Sequence, residues 1–500
     1  MLSSRLPKDL TPSPFFAELE RAKADVLTEC ADARGNGAGC LPFIDMTVSS
    51  PLRVGLPFDL APAVDEAKSE FGTWVADAAG RRDAREAVVE YYRERGGAFT
   101  AGQIILTAST SEAYSVLFKT FCDPGDVILT PMPGYPLLDT LAQLEHLECA
   151  PYFLKLKRET VKAKRNVFLS EAKNPVTSSF RFVLDSDSLL AAPERAKILL
   201  LVSPHNPTGH CVSREEWNEA VRFCEENDMI LVVDEVFADY AFSDKVQRSW
   251  QYLFEKGDSR SEPGMTSESS VAAKCLCFDM TEPNGHARSA MTSESSVAAK
   301  CLCFDMTEPN SHARSAMTSE SSVANLWDAG GGDYINLPED GPKCPIFWLN
   351  GLSKAVGSPQ LKLGWMAFYA PREKFEEIRA ALEFVEDAYL SVSSPAQSLA
   401  RPTLAVSAAY ESRIRERLLQ NWNTLREVFP SKYCPEVLGG WYAVVRLGED
   451  DEEITLRLLR EKHVLVQPGF FFDFDEDGWV VISLLQEPAQ FKEAIRRIKA

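Results

Sequence analysis

A handful of side chains along this chain could do chemistry together. Ser109, Thr110 and Ser111 follow the apolar run IILTA and open a helical pattern. Hydroxyls and unpaired N–H groups at the positive end of a helix suit a phosphate, although Ser109 with Glu112 three residues on also fits an ordinary capping box. Tyr135, held in Pro133-Gly134-Tyr135-Pro136, offers a fixed aromatic ring, and Asn206 in SPHNPTG offers an amide in a tight turn. Asp234 ends the almost wholly apolar run MILVVD, where a carboxylate is costly unless it is paired. Ser353 and Lys354 follow Phe347-Trp348-Leu349, with Lys362 and further glycines behind them. The set comprises a phosphate cradle, a stacking ring, an amide, a buried acid and an amine able to form a covalent bond.

These residues need a scaffold that brings them to one place. Short apolar, β-branched runs (IILTA, DVILT, KILLLVS, MILVVD, IFWLN and WMAFY) alternate with amphipathic stretches such as Ser111 to Phe121, Arg214 to Glu226 and Glu373 to Val385. That alternation predicts an α/β fold with a mostly parallel, doubly wound sheet, whose ligands bind at the strands' carboxyl ends. Each candidate above falls at such an end. From about residue 376 the pattern turns to helices followed by short strands (WYAVVRL, HVLVQPG, WVVIS), which predicts a smaller α+β domain. The expected division is an N-terminal arm with part of the small domain over 1–60, a large domain over 61–375, and the C-terminal small domain over 376–500.

Bulk properties narrow the class. With 500 residues, 45% of them hydrophobic, the chain can build two or three cores. A formal charge of -20 argues against nucleic acid as a partner, since phosphate backbones need a basic surface. The opening MLSSRLPKDLTPSPFF lacks a signal peptide's apolar core, and no run reaches the ~20 apolar residues of a membrane helix, so a cytoplasmic protein away from membranes is expected. The 12 cysteines are dispersed, which favours free thiols.

One segment stands apart. MTSESSVAAKCLCFDMTEPNGHARSA at 265–290 recurs at 291–316 with a single change, Gly285 to Ser311, and a third copy stops after Ala324. So few copies cannot stack into a solenoid, and near-identity points to a tandem duplication in a surface insertion spanning 256–328. Each copy has a C-x-C and a histidine (Cys275, Cys277 and His286; Cys301, Cys303 and His312), at a spacing that matches no standard zinc module, so no metal site is expected.

Taken together, the candidate residues are the set that pyridoxal 5'-phosphate requires. Through TASTSEA, PGYP, NPTG, DEVFADY, GLSK and LKLGW, the chain resembles the fold-type I pyridoxal-phosphate enzymes of the class I/II aminotransferase family from about Asp45 onward, the repeats excepted. The resemblance implies a seven-stranded, mostly parallel sheet sandwiched by helices, and a homodimer with sites at the subunit interface. It implies an aminotransferase moving an amino group from an amino acid to a 2-oxo acid. Lys354 would form the internal Schiff base and carry the proton. Asp234 would hold the pyridine nitrogen protonated, Asn206 would donate to the phenolic oxygen, and Tyr135 would stack on the ring. Ser109, Thr110, Ser353 and Lys362 would hold the phosphate, Lys362 standing where the family usually has an arginine.

Departures bear on substrate and cofactor. Phe237 replaces a tyrosine that usually reaches the phenolic oxygen, leaving Tyr240 as a candidate substitute. Trp74 stands where a tyrosine often crosses from the partner subunit, and Gly351 replaces a common serine. Val481 occupies the place of the arginine that grips the substrate carboxylate, which leaves Arg446, Arg401 and Arg53 as alternatives. A pocket wall from Tyr389 to Val392 with Trp441 and Tyr442 would favour neutral amino acids over dicarboxylates. A lyase or decarboxylase on the same scaffold is the competing chemistry, and a non-catalytic descendant a third reading, one that retention of Lys354, Asp234 and Asn206 disfavours.

Overall fold

A computed structural model describes residues 13–35, 41–161, 177–254, 341–448 and 450–500, with Ser3, Arg5, Leu6 and Thr11. The repeats lie outside the described residues. The strands in chain order are β1 (Ile44–Asp45), β2 (Ile104–Thr107), β3 (Val127–Met132), β4 (Glu148–Val161), β5 (Thr177–Leu184), β6 (Ala196–Val202), β7 (Ile230–Asp234), β8 (Ile346–Gly351), β9 (Gly364–Tyr369), β10 (Tyr442–Arg446), β11 (Val464–Leu465), β12 (Gln467–Pro468) and β13 (Trp479–Ser483).

Alternate residues of the central strands enter different cores. Ile346 and Trp348 of β8 pack with Leu231 and Val233 of β7 on one face, while Phe347 and Leu349 join Ile230 and Val232 on the other. A sheet covered on both faces needs runs that are apolar throughout, and this is what the sequence supplies. The sheet order is β2-β9-β8-β7-β6-β3-β4-β5. Strands β3, β4, β6, β7 and β8 run parallel, and β2 shares their direction because β9 opposes both β2 and β8.

The sheet has eight strands where seven were expected. The additional one is β5, which pairs antiparallel with the far half of the long β4, from Leu154↔Leu184 to Val161↔Thr177. In this edge pair Leu154 and Leu156 alternate with Lys155 and Lys157, so it has none of the continuous apolar character that marks the central strands.

The smaller domain holds an antiparallel sheet, β10-β13-β12. Residues from the beginning of the chain join the end: β1 pairs parallel with β11, and the helix Pro14–Gly35 buries Phe15, Leu19 and Val26 against Leu459 and Leu465. No helix among the described residues is long and apolar enough to cross a membrane.

Candidate active site

Five strands deliver the site. The carboxyl ends of β2, β3, β6, β7 and β8 share one edge of the sheet, and beyond them a cavity of about 210 Å³ is lined by Ser109, Thr110, Tyr135, Asn206, Asp234, Ser353 and Lys354. Residues as far apart in sequence as Ser109 and Lys354 therefore meet because each follows a parallel strand.

After β2, Ser109 turns the chain into the helix Thr110–Phe121 and caps it, its Oγ accepting from Glu112 N at 3.2 Å. The first helical bond of this turn runs from Ala113 N to Ser109 O, so the amides of Thr110 and Ser111 precede the helical ladder beside the cavity. The capping box is not closed as expected. The Glu112 carboxylate instead accepts from Ala108 N and from the Ser391 hydroxyl, the latter at 2.8 Å.

Asp234 ends β7 with both carboxylate oxygens engaged. Oδ1 accepts from Val236 N at 3.0 Å, and Oδ2 accepts from the Tyr114 hydroxyl at 2.6 Å. Burial pushes the Asp234 carboxyl above its usual range, against the pull of those two donors and of the Lys354 charge.

Lys354 stands on the single turn Leu352–Ala355 that follows β8. Its ammonium lies over the rings of Trp441 and Phe237. Loss of water brings its pKa down to about 8, with Asp234 pulling the other way. Among the described residues that line the cavity, Lys354 is the one cation and Asp234 the one anion. Asn206 presents a buried Oδ1 without a partner, and Tyr135, 45% exposed, stands at the mouth.

The strand pair β8–β9 explains why Gly351 is not serine. Opposite it in register is Gly364, and a Cβ on Gly351 would stand 3.0 Å from the Gly364 Cα and from the Leu363 carbonyl oxygen. A Cβ on Gly364 would in turn stand 3.0 Å from the Ser109 carbonyl carbon. Two glycines thus let the lysine-bearing strand lie close to the Ser109 turn.

Several expected residues are placed elsewhere. Lys362 is exposed, with a backbone φ of 50°, and does not line the cavity; the chain contributes Leu363 and Gly364 there instead. The Tyr240 hydroxyl donates to the Lys354 carbonyl at 2.6 Å and is fully buried, so it does not replace the missing tyrosine at Phe237. None of the alternative arginines lines the cavity. Arg446 pairs with Glu476, Arg401 donates to the Asp83 carbonyl, and Arg53 borders a separate cavity with Gln486 and Glu487. Val481 is fully buried in β13 between Val444 and Gln467. Tyr442 lines the cavity, whereas Leu390, Ser391 and Val392 border a different one with Trp74.

Tyr114 and Ser49 are cavity residues that the motifs did not single out. Tyr114 was legible in principle, because it lies four residues after Thr110 on the same helical face. Ser49 comes from the N-terminal segment and carries no local signal.

The chain is similar to known proteins. The family model for aminotransferase class I and II matches residues 66–261 and 316–498, skipping 262–315, where almost all of the two full repeats lie. Among curated proteins, the glutamate-pyruvate aminotransferase AlaA of Haemophilus influenzae is 21% identical over 84% of this chain and 81% of that protein. An alanine aminotransferase of Mycobacterium bovis is 22% identical over 85% and 76%. A tyrosine aminotransferase of Caenorhabditis elegans is 26% identical over a shorter match, 33% of this chain and 32% of that protein. The solved aspartate aminotransferase of Thermus thermophilus, a double mutant, superposes with a TM-score of 0.64 at 19% identity, covering 100% of this chain and 99% of its own, which supports the fold. The match over most of the chain, with the motif residues gathered at one sheet edge, places it in a family: the chain belongs to the class I and II aminotransferases.

Proposed function

We propose that the chain is a pyridoxal-phosphate-dependent aminotransferase that takes its amino group from a neutral amino acid and passes it to a 2-oxo acid. The observation that carries this reading is the meeting of Lys354, Asp234 and Asn206 in one cavity headed by the Ser109 turn. The residues fit the cofactor: Asn206 brings to the cavity an amide whose N–H can donate to the phenolic oxygen, Asp234 is an acid with few other charges near it, and the helix N-terminus can take an anion. Bound there, pyridoxal phosphate would supply a carbonyl that condenses with amines and a ring that withdraws electrons from the substrate Cα.

The protein's part follows from its own groups. The lowered pKa of Lys354 gives it a sizeable neutral fraction near pH 8, so Nζ can act as a nucleophile, take the proton from the Cα of the amino donor and, in the second half-reaction, give a proton to the Cα of the 2-oxo acid. Asp234, negatively charged, would keep the ring nitrogen protonated. Ser109, Thr110 and Ser353 would hold the phosphate, Asn206 would bond the phenolic oxygen, and Tyr135 would cover the ring at the mouth. A cavity whose one cation is already committed to the chemistry favours donors with uncharged side chains. Trp74, 72% exposed, and Leu390, 51% exposed, border one small cavity, which supports a second copy of the chain covering this face.

The test is colour. Wild-type protein mixed with pyridoxal phosphate should absorb in the visible, and Lys354→Ala should not. An unchanged spectrum in the variant would refute the assignment. In single-turnover assays alanine, methionine or an aromatic amino acid should bleach that absorbance faster than aspartate or glutamate, and fast conversion by aspartate alone would overturn the substrate class.

A further inference from the structure

The helix whose N-terminus opens onto the cavity carries a second functional group one turn further on. Thr110 and Tyr114 stand four residues apart and so share a face, and both line the cavity. The buried Tyr114 hydroxyl donates at 2.6 Å to Oδ2 of Asp234, and the Val236 amide takes Oδ1. Burial and the neighbouring Asp234 push the Tyr114 phenol well above its ordinary range, so it stays protonated and remains a donor. Among the described residues, the only other charge acting on Asp234 is that of Lys354.

We propose that Tyr114 is a positioning residue for Asp234: its phenol fixes the carboxylate's orientation and keeps it ionised, so that the acid can pair with a protonated ring nitrogen in the cavity. The inference rests on the pyridoxal-phosphate reading above. One helix then serves both ends of the ligand, its N-terminal turn facing the phosphate and its second turn governing the acid. A phenylalanine would fill the same space, since the ring packs near Phe118 with centroids 6.1 Å apart, but would leave Oδ2 without its donor.

The experiment is a double-mutant cycle on cofactor affinity, read by absorbance and fluorescence titration of cofactor-free protein with pyridoxal phosphate. Tyr114→Phe should raise Kd about tenfold or more, the size expected for a hydrogen bond to a charged group. In an Asp234→Ala background the same substitution should change Kd less than about twofold, because the acceptor is gone. Equal weakening in both backgrounds would mean that Tyr114 merely packs the helix, and would overturn the proposal, as would an unchanged Kd in the single variant. Tyr114→Leu provides a second variant that must show the same dependence on Asp234. If wild-type protein takes up no pyridoxal phosphate, the underlying reading fails as well, and the wild-type titration alone reveals it.

Discussion

The Lys354 ammonium lies 4.6 Å from the centroid of Trp441 and 5.3 Å from that of Phe237. The two ring faces stand where water would otherwise solvate the charge. Cation–π attraction of about 0.5–2 kcal/mol returns only part of the lost hydration, and the ammonium's pKa falls to about 8.

A stability cost follows, and its sign can be worked out. Because the folded pKa lies below the unfolded one, the folded protein binds fewer protons between pH 8 and about 10.5, and stability rises with pH across that window. Lys354→Met should therefore stabilise the cofactor-free protein at pH 7 by up to about 3 kcal/mol, with the gain shrinking towards zero near pH 10.5. Urea unfolding at a series of pH values measures it. A variant less stable than wild type at pH 7 would contradict this account.

Glu386 presents the opposite sign. It is 2% exposed, its Oε1 has no partner, and burial together with the Glu112 charge raises its pKa to about 8. A carboxyl held above its unfolded value costs stability progressively as pH climbs from about 4.5 to 8. Glu386→Gln should therefore raise the melting temperature at pH 8 and leave it nearly unchanged at pH 4.5. Calorimetry at the two pH values checks the difference; an equal change at both would rule out titration as the cause.

Gly364→Ala should act at a distance from Lys354. The new Cβ meets the Ser109 carbonyl carbon at 3.0 Å and the Thr107 Oγ1 at 3.1 Å, so the Ser109 turn must move by a few tenths of an ångström. We expect a loss of about 1–3 kcal/mol in stability and a several-fold weaker affinity for pyridoxal phosphate. Pyridoxal without its phosphate should be affected much less, and equal weakening of both ligands would place the damage elsewhere.

Deleting residues 265–316 should leave cofactor affinity unchanged, because the family's own match passes over 262–315. Titration of the shortened chain with pyridoxal phosphate tests this. Loss of folding, or zinc bound stoichiometrically by the full-length chain, would reverse the view of the repeats as an insertion.

The central strands were legible because a sheet buried on both faces leaves uninterrupted apolar runs, as in IFWLN and KILLLVS. Ser109, Tyr135, Asn206, Asp234 and Lys354 were legible as cavity residues because each ends or closely follows such a run. The β4–β5 edge pair escaped because its lysines break the run, and Tyr114 escaped because a helical tyrosine facing a core looks like any other packed aromatic. Lys362 is exposed while its neighbours Leu363 and Gly364 line the cavity, because spacing along the chain does not fix which residue of a turn faces inward. The arginines were weaker still: no motif placed them, and even Arg446, which ends β10, pairs with Glu476 and does not line the cavity.

The bonds made by Glu112 have a mechanical consequence. Its carboxylate holds Ala108 N, directly before the Ser109 turn, and also Ser391, in the connection between the helices Arg372–Asp387 and Ser394–Ser398 that leads into the C-terminal residues. Any swing of that connection which pulls Ser391 away changes the load on the Ala108 amide, and any ligand that tightens the turn resists the swing. By thermodynamic reciprocity the two effects are equal in free energy. One glutamate thus ties the Ser109 turn to the connection that carries Ser391.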